Sequence, residues 1–162
     1  MATFSGGLSF FEKESPLVNL IDHKINNPNS LVNNHVNNVL EDKKGDIWFA
    51  TNNGISRWKS TANKWDTYYP NKRQEKGQVF LALCEDNQGN IWTGGYSSGF
   101  CVLDRNTGEE LTSYSQKAGE LKSPVEHIYD IFKDSEGDVW LVGIHNVICY
   151  LTEERRFYEY TS

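Results

Sequence analysis

An eight-residue phrase that occurs three times constrains the fold of this 162-residue chain more than any other feature. The copies run from Glu41 to Trp48, from Glu85 to Trp92 and from Lys133 to Trp140. Each copy has aspartate at its second position, glycine at its fifth and tryptophan at its last, so the tryptophans are 44 and 48 residues apart. A period in the forties, with four strand-sized segments per unit, is typical of β-propeller blades. The sequence therefore predicts an all-β fold.

Within each copy, the aspartate and the glycine predict a tight hairpin turn. An aspartate side chain accepts hydrogen bonds from backbone amides two residues on, and the glycine three residues later takes the positive φ that closes a bulged hairpin. An alternating strand with a large aromatic side chain then follows. The residues expected to define the structural repeat are Asp42, Gly45, Trp48, Asp86, Gly89, Trp92, Asp134, Gly137 and Trp140.

Strand-sized segments on both sides of each copy bring every unit to four strands. This spacing predicts a partial β-propeller, residues 1–162, with three complete four-stranded blades at about 33–77, 78–122 and 123–162. Residues 7–11 match the third strand of a unit, and residues 18–21 match a fourth. Residues 1–32 are therefore expected to form the outer half of a preceding blade, without its two inner strands. A chain that opens in mid-blade is expected to be part of a longer protein.

Charge and hydropathy exclude two classes of partner. The net charge of −6 argues against nucleic-acid binding, which favours a basic surface. No run of 18 apolar residues is present, so this segment is not expected to contact a membrane, and no signal peptide is visible at its start. The three cysteines, Cys84, Cys101 and Cys149, each fall in an apolar strand, where buried free thiols are favoured over a Cys101–Cys149 bridge.

The first complete unit resembles a known repeat family. From Asn34 to Trp58 it carries nearly the whole pattern Asn-x-Val-x-x-Ile/Leu-x-Glu-Asp-x-x-Gly-x-Ile-Trp-Phe-x-Thr-x-x-Gly-Leu/Ile-x-Arg-Tyr/Trp, and so resembles the two-component regulator propeller repeat. The second unit departs from the pattern near Gly94, and the third departs further near His145. The resemblance implies the periplasmic sensor region of a bacterial hybrid two-component protein, ahead of a membrane helix and a cytoplasmic histidine kinase.

The residues give little support for catalysis. No kinase motif lies in the chain, no cofactor is expected, and the histidines show no metal-ligand spacing. Asn38, Ala82 and Asp130 align at positions expected to line a central channel, and they supply one carboxylate rather than a pair. The few arginines are expected mainly on outer strands or loops, unlike the cluster of a sialidase. A fragment of an Asp-box-type propeller glycosidase or lyase, or a generic protein-interaction propeller, stays as an alternative.

One face of the propeller is expected to collect polar side chains. Antiparallel strand order puts all Asp-x-x-Gly turns on one face and the turns between second and third strands on the other. The ligand-binding candidates on that other face are His35, Asn52, Asn53, Tyr96, Ser97, His127, His145 and Asn146. Amides, hydroxyls, imidazoles and an aromatic ring are groups that bind sugars, so an oligosaccharide is the expected ligand. The expected protein partners are the remaining blades of the parent chain or a second copy.

Overall fold

The computed structural model describes residues 2–3, 7–11, 18–70, 78–96, 99–113 and 127–161, and their regular structure is β-strand. The partial blade contains β1 (Ala2–Thr3), β2 (Gly7–Phe11) and β3 (Val18–Ile21). Blade I contains β4 (Val36–Glu41), β5 (Ile47–Thr51), β6 (Gly54–Lys59) and β7 (Lys64–Tyr68). Blade II contains β8 (Val79–Glu85), β9 (Ile91–Tyr96), β10 (Gly99–Leu103) and β11 (Glu110–Ser113). Blade III contains β12 (Ile128–Lys133), β13 (Val139–Gly143), β14 (Asn146–Leu151) and β15 (Arg156–Thr161).

Each of these blades is an antiparallel meander whose strands pair in chain order. The prediction of a partial propeller with three four-stranded blades is confirmed. The partial blade differs in one respect from the expectation of two outer strands. The short strand β1 also pairs with β2, joining Ala2 to Leu8 and Thr3 to Gly7, so a remnant of one inner strand is present.

The repeat places equivalent residues opposite one another in all three blades. The tryptophan of the phrase pairs across the sheet with Arg57 in blade I, with Val102 in blade II and with Cys149 in blade III. Each inner strand also carries a register shift at the same point, between residues 36 and 38, 80 and 82, and 128 and 130. Such a bulge re-aims the side chains that follow it.

This geometry corrects the expected set of channel residues. Ala82 is fully buried, and it belongs to the apolar cluster between blades II and III rather than to a central channel. The physical reason is that alternate residues of an inner strand face the two neighbouring blades once the bulge has been passed. The argument from Asn38, Ala82 and Asp130 about a carboxylate pair therefore carries no weight.

The repeated turn forms as expected and adds a bond that the pattern did not predict. Gly45, Gly89 and Gly137 have φ of 80°, 86° and 94°. In blade I, Asp42 Oδ1 accepts hydrogen bonds from the backbone amides of Lys44 and Asp46, at 2.8 and 3.1 Å. Its second oxygen, Oδ2, accepts a hydrogen bond from the indole Nε1 of Trp48 at 2.9 Å.

The same indole bond occurs in the other two blades. Trp92 Nε1 donates to Asp86 Oδ2 at 3.0 Å, and Trp140 Nε1 donates to Asp134 Oδ2 at 2.7 Å. One carboxylate thus closes the turn with one oxygen and orients the tryptophan six residues later with the other. This satisfies the polar edge of an indole that is otherwise buried in apolar surroundings.

Apolar clusters between neighbouring sheets form the core. Trp48 and Phe80 belong to the cluster between blades I and II, and Trp92 and Leu141 belong to the cluster between blades II and III. A third cluster, around Phe49, joins the partial blade to blade I. The three cysteines are buried free thiols, as predicted, and burial raises the pKa of Cys84 and of Cys149 to about 11.

Candidate functional site

The predicted polar face lies where the turns between second and third strands approach the connections that lead into the inner strands. The Asn52 backbone amide donates to the carbonyl oxygen of His35 at 3.1 Å. Asn37 Nδ2 donates to Asn52 Oδ1 and to the carbonyl oxygen of Phe80, both at 2.8 Å. Asn37 therefore links blade I to blade II. Asn37 was not among the predicted residues, because the strand bulge that positions it is seen only in the structure.

Tyr96 and His127 meet across the boundary between blades II and III. Their ring centroids lie 4.4 Å apart, and the rings are stacked with 20° between their planes. Tyr96 is 54% exposed although it ends a strand whose preceding residues are buried. The pair therefore offers an accessible aromatic surface edged by a phenol and an imidazole, which combine stacking with hydrogen bonding.

The remaining predicted residues occupy different surroundings. The Asn53 backbone amide donates to Thr51 Oγ1 at 3.1 Å, and His145 is exposed in the turn before β14. Asn146 is only 7% exposed and its Nδ2 donates to Glu159 Oε1 at 3.2 Å, which leaves little of its side chain for a ligand. Ser97 lies outside the described residues.

On the opposite face, the repeated turns of adjacent blades are linked by charged side chains. Glu85 forms an ion pair with Arg105, and its Oε2 accepts a hydrogen bond from the backbone amide of Lys43 at 2.9 Å. Lys133 Nζ donates to Asn87 Oδ1 at 2.9 Å. These bonds hold neighbouring turns together, so the side chains of this face serve mainly to stabilise the fold.

The outer part of the cleft between blades I and II, which we call cleft 1, is sealed by a buried ion pair. Arg57 Nη2 lies 2.6 Å from Asp46 Oδ2, and the two side chains are 4% and 11% exposed. The guanidinium also lies over the indole of Trp48, 5.0 Å from the ring centroid, and donates to the carbonyl oxygen of Arg105. Burial has the largest single effect and lowers the pKa of Arg57, but the hydrogen bonds and charge attraction of Asp46 and Tyr68 together raise that pKa above its ordinary value. Arg57 was not predicted to be buried, because arginines were expected mainly on outer strands or loops.

The corresponding cleft between blades II and III, cleft 2, has a different construction. Tyr150 and Phe157 reach across from blade III and contact Trp92, with ring centroids 5.1 and 6.3 Å away. A cavity of about 330 Å³ remains beside these rings, and Asn90, Thr112 and Thr152 are among the residues that line it. A larger cavity of about 630 Å³ is lined by residues 65–69, which lie in and directly after β7.

The described residues contain neither a metal-binding cluster nor a membrane-spanning helix. No group of three or more histidine, cysteine, aspartate or glutamate side chains in this part of the chain is arranged to hold a metal ion. The same residues contain no helix that is long and apolar enough to cross a membrane.

Comparison with known proteins identifies the repeat. The family model of the two component regulator propeller matches residues 30–53 and 74–97, which contain the inner strands of blades I and II. Residues 30–53 and 74–97 therefore carry two-component regulator propeller repeats. Comparison with curated protein sequences finds no match.

Several solved structures share this architecture. Two are extracellular domains described as belonging to hybrid two-component systems of B. thetaiotaomicron. They have 18% and 20% identity, TM-scores of 0.75 and 0.72, and matches that cover 99% and 96% of this chain. Virginiamycin B lyase from Staphylococcus aureus matches at 16% identity over 97% of this chain, with a TM-score of 0.70.

At these identities the likeness establishes the propeller fold alone. The chain spans 21% and 22% of the two extracellular domains and 49% of the lyase.

Proposed function

We propose that this propeller module is part of the extracytoplasmic, ligand-recognising region of a two-component signalling protein, that it is not itself catalytic, and that its ligand is a carbohydrate. The repeat family and the descriptions of the two extracellular domains support the signalling role. In such an arrangement the module would bind its ligand outside the cytoplasm, and the parent protein would carry the output domain.

The stacked pair of Tyr96 and His127 carries the ligand-binding part of this proposal. The pair joins blades II and III on the polar face, opposite the turns that charged side chains link together. More than half of the surface of Tyr96 is exposed. Aromatic surface flanked by a few polar groups is the composition of small-molecule sites. A ligand that contacts both rings would also be sensitive to the relative position of blades II and III, which is a property that a sensor needs.

The test combines Tyr96→Ala with His145→Ala in the full-length sensor. Loss of the aromatic surface of Tyr96 and of the exposed His145 imidazole, another predicted residue of the polar face, is expected to shift the ligand dose response to higher concentration, by about tenfold or more. Tyr69→Ala serves as the matched control, because Tyr69 is an exposed tyrosine directly after β7 of blade I, away from the boundary between blades II and III. An unchanged dose response in the double variant would contradict the proposal.

A lyase fragment is the second candidate, because a lyase shares the fold over 97% of this chain. The two functions differ in what happens to a bound ligand. A recognition module returns its ligand unchanged, whereas a lyase converts it. Mass spectrometry of ligand recovered after prolonged incubation distinguishes them, and a product that accumulates with time would favour the enzyme.

We also propose that the outer face of blade III is covered, either by a further blade of the parent chain or by a second copy of this chain. On that face Trp140 stacks with Phe132 and with Tyr160, which are 46% and 55% exposed. The tryptophans of blades I and II are buried at the equivalent positions. Contiguous apolar surface of this kind marks an interaction site. Light scattering over a range of concentrations tests whether a second copy of the chain binds to this face. A monomer at every concentration would favour a further blade of the parent chain instead.

A further inference from the structure

The cavity in cleft 2 has a structural origin that becomes clear when the two clefts are aligned. Arg57 of blade I pairs across the sheet with Trp48 and with Asp66. The residue at the same position in blade II is Val102, which pairs with Trp92 and with Thr112. A long cationic side chain is thus replaced by a short apolar one, and the space beside it is open.

The residues around the cavity in cleft 2 also differ in charge from their equivalents in cleft 1. Asp46 of cleft 1 is replaced by Asn90, and Asp66 is replaced by Thr112. Among the described residues that line the cavity, Asp86 is the one carboxylate. It already accepts hydrogen bonds from the backbone and side-chain amides of Asn90, at 2.8 and 3.0 Å, and from the indole of Trp92. Arg155 is exposed at the rim. Cleft 2 therefore lacks the paired negative charge that holds the guanidinium in cleft 1.

The remaining walls are aromatic on one side and neutral polar on the other. Tyr150 and Phe157 present partly exposed rings that are held against each other, with centroids 4.9 Å apart. Across the cavity lie the hydroxyl of Thr112 and the amide of Asn90, whose Nδ2 is committed to Asp86 so that its oxygen is turned to accept. Thr152 adds a second hydroxyl, whose own hydrogen is donated to the carbonyl oxygen of Gly137.

From these walls we infer a second binding site in cleft 2, distinct from the polar face, that takes one neutral, hydroxylated ring such as a sugar unit. The C–H face of the ring packs on Tyr150 and Phe157, and its hydroxyls donate to the oxygens of Asn90 and Thr152. The volume of about 330 Å³ is within the range of small-molecule sites. A cation is disfavoured because Asp86 already accepts three hydrogen bonds and Arg155 adds positive charge.

The experiment is isothermal titration calorimetry of the 162-residue chain with glucose, galactose, maltose and cellobiose. Thr112→Tyr puts a ring into the cavity from the outer strand and is expected to weaken binding by about tenfold or more. Glu110→Tyr is the matched control, since it adds the same ring on the same strand next to Leu103, on the side that faces blade I. It is expected to leave the affinity within about twofold of the unmodified chain.

Two additional variants keep the result interpretable. Leu111→Trp blocks the same cavity from an exposed position, so it tests the site even if Thr112→Tyr fails to fold. Tyr96→Ala combined with His145→Ala removes the polar-face site and is expected to leave binding in cleft 2 unchanged, which separates failure of this site from failure of the proposed function. The inference would be overturned if both blocking variants kept the unmodified affinity, or if none of the four sugars bound. Preferential binding of guanidinium chloride would also overturn it.

Discussion

Clefts 1 and 2 show how one repeat produces two different environments. Both place a tryptophan of the repeated phrase between two blades, and both orient its indole with the carboxylate six residues earlier. In cleft 1 the residue across the sheet from the tryptophan is Arg57, which fills the space and is neutralised by Asp46. In cleft 2 that residue is Val102, and a cavity remains. The turn and strand positions set the architecture, while one cross-strand neighbour decides whether a cleft is sealed.

The largest expected effect comes from removing the tryptophans themselves. Trp92→Ala is expected to lower the free energy of unfolding by about 3–5 kcal/mol, because it deletes a buried aromatic side chain between two blades. Trp140→Ala is expected to cost less, since the outer face of blade III leaves its neighbours Phe132 and Tyr160 exposed. Urea unfolding midpoints provide the measurement. The reverse order would mean that another subunit covers blade III.

Arg57→Met is expected to rank close behind, because it leaves the carboxylate of Asp46 buried without its partner. Breaking a buried ion pair by removing one side typically costs about 3–5 kcal/mol. Combining Arg57→Met with Asp46→Asn gives cleft 1 a neutral pair like that of cleft 2, and should recover more than half of the loss. A double variant as unstable as the single one would show that Arg57 acts through packing on Trp48 rather than through charge.

A smaller, pH-dependent effect is expected in blade III. The hydrogen bond from Trp140, with further bonds from backbone amides, lowers the pKa of Asp134 below its ordinary value of 3.8. Because the folded-state pKa is the lower one, the stabilisation is present above pH 3.8 and is lost as the pH falls through the folded-state value. Asp134→Asn should therefore flatten the acid side of a plot of urea midpoint against pH. An unchanged acid limb would contradict this assignment.

Much of the architecture could be predicted because the same turn and strand residues occur in all three copies of the repeat. The spacing of Asp42, Gly45 and Trp48, repeated at the other two copies, was enough to place the hairpins and the four strands of each blade. The bond from each indole to the aspartate was missed although its signal, a fixed separation of six residues, was present. A turn aspartate has two oxygens, and only one of them was assigned a partner.

Contacts between blades were harder to predict, because they depend on how far each sheet is twisted and displaced relative to the next. The stacking of Tyr96 on His127 joins residues that have no fixed offset in the repeat. The burial of Arg57 follows from a partner eleven residues earlier, Asp46, whose role could not be separated from that of any other turn residue. The cavity in cleft 2 arises from a difference between repeats, whereas the fold was predicted from what the repeats share.

The most direct test of the contrast between the clefts is a proton NMR titration of the indole Nε1–H signals with the same four sugars. Trp48 and Trp92 occupy equivalent positions and donate equivalent hydrogen bonds, so the sealed cleft serves as an internal control within one molecule. Substitution of each tryptophan by phenylalanine assigns its signal. We expect the Trp92 signal to move with sugar concentration while the Trp48 signal stays in place. Equal movement of both signals, or movement of Trp48 alone, would contradict it.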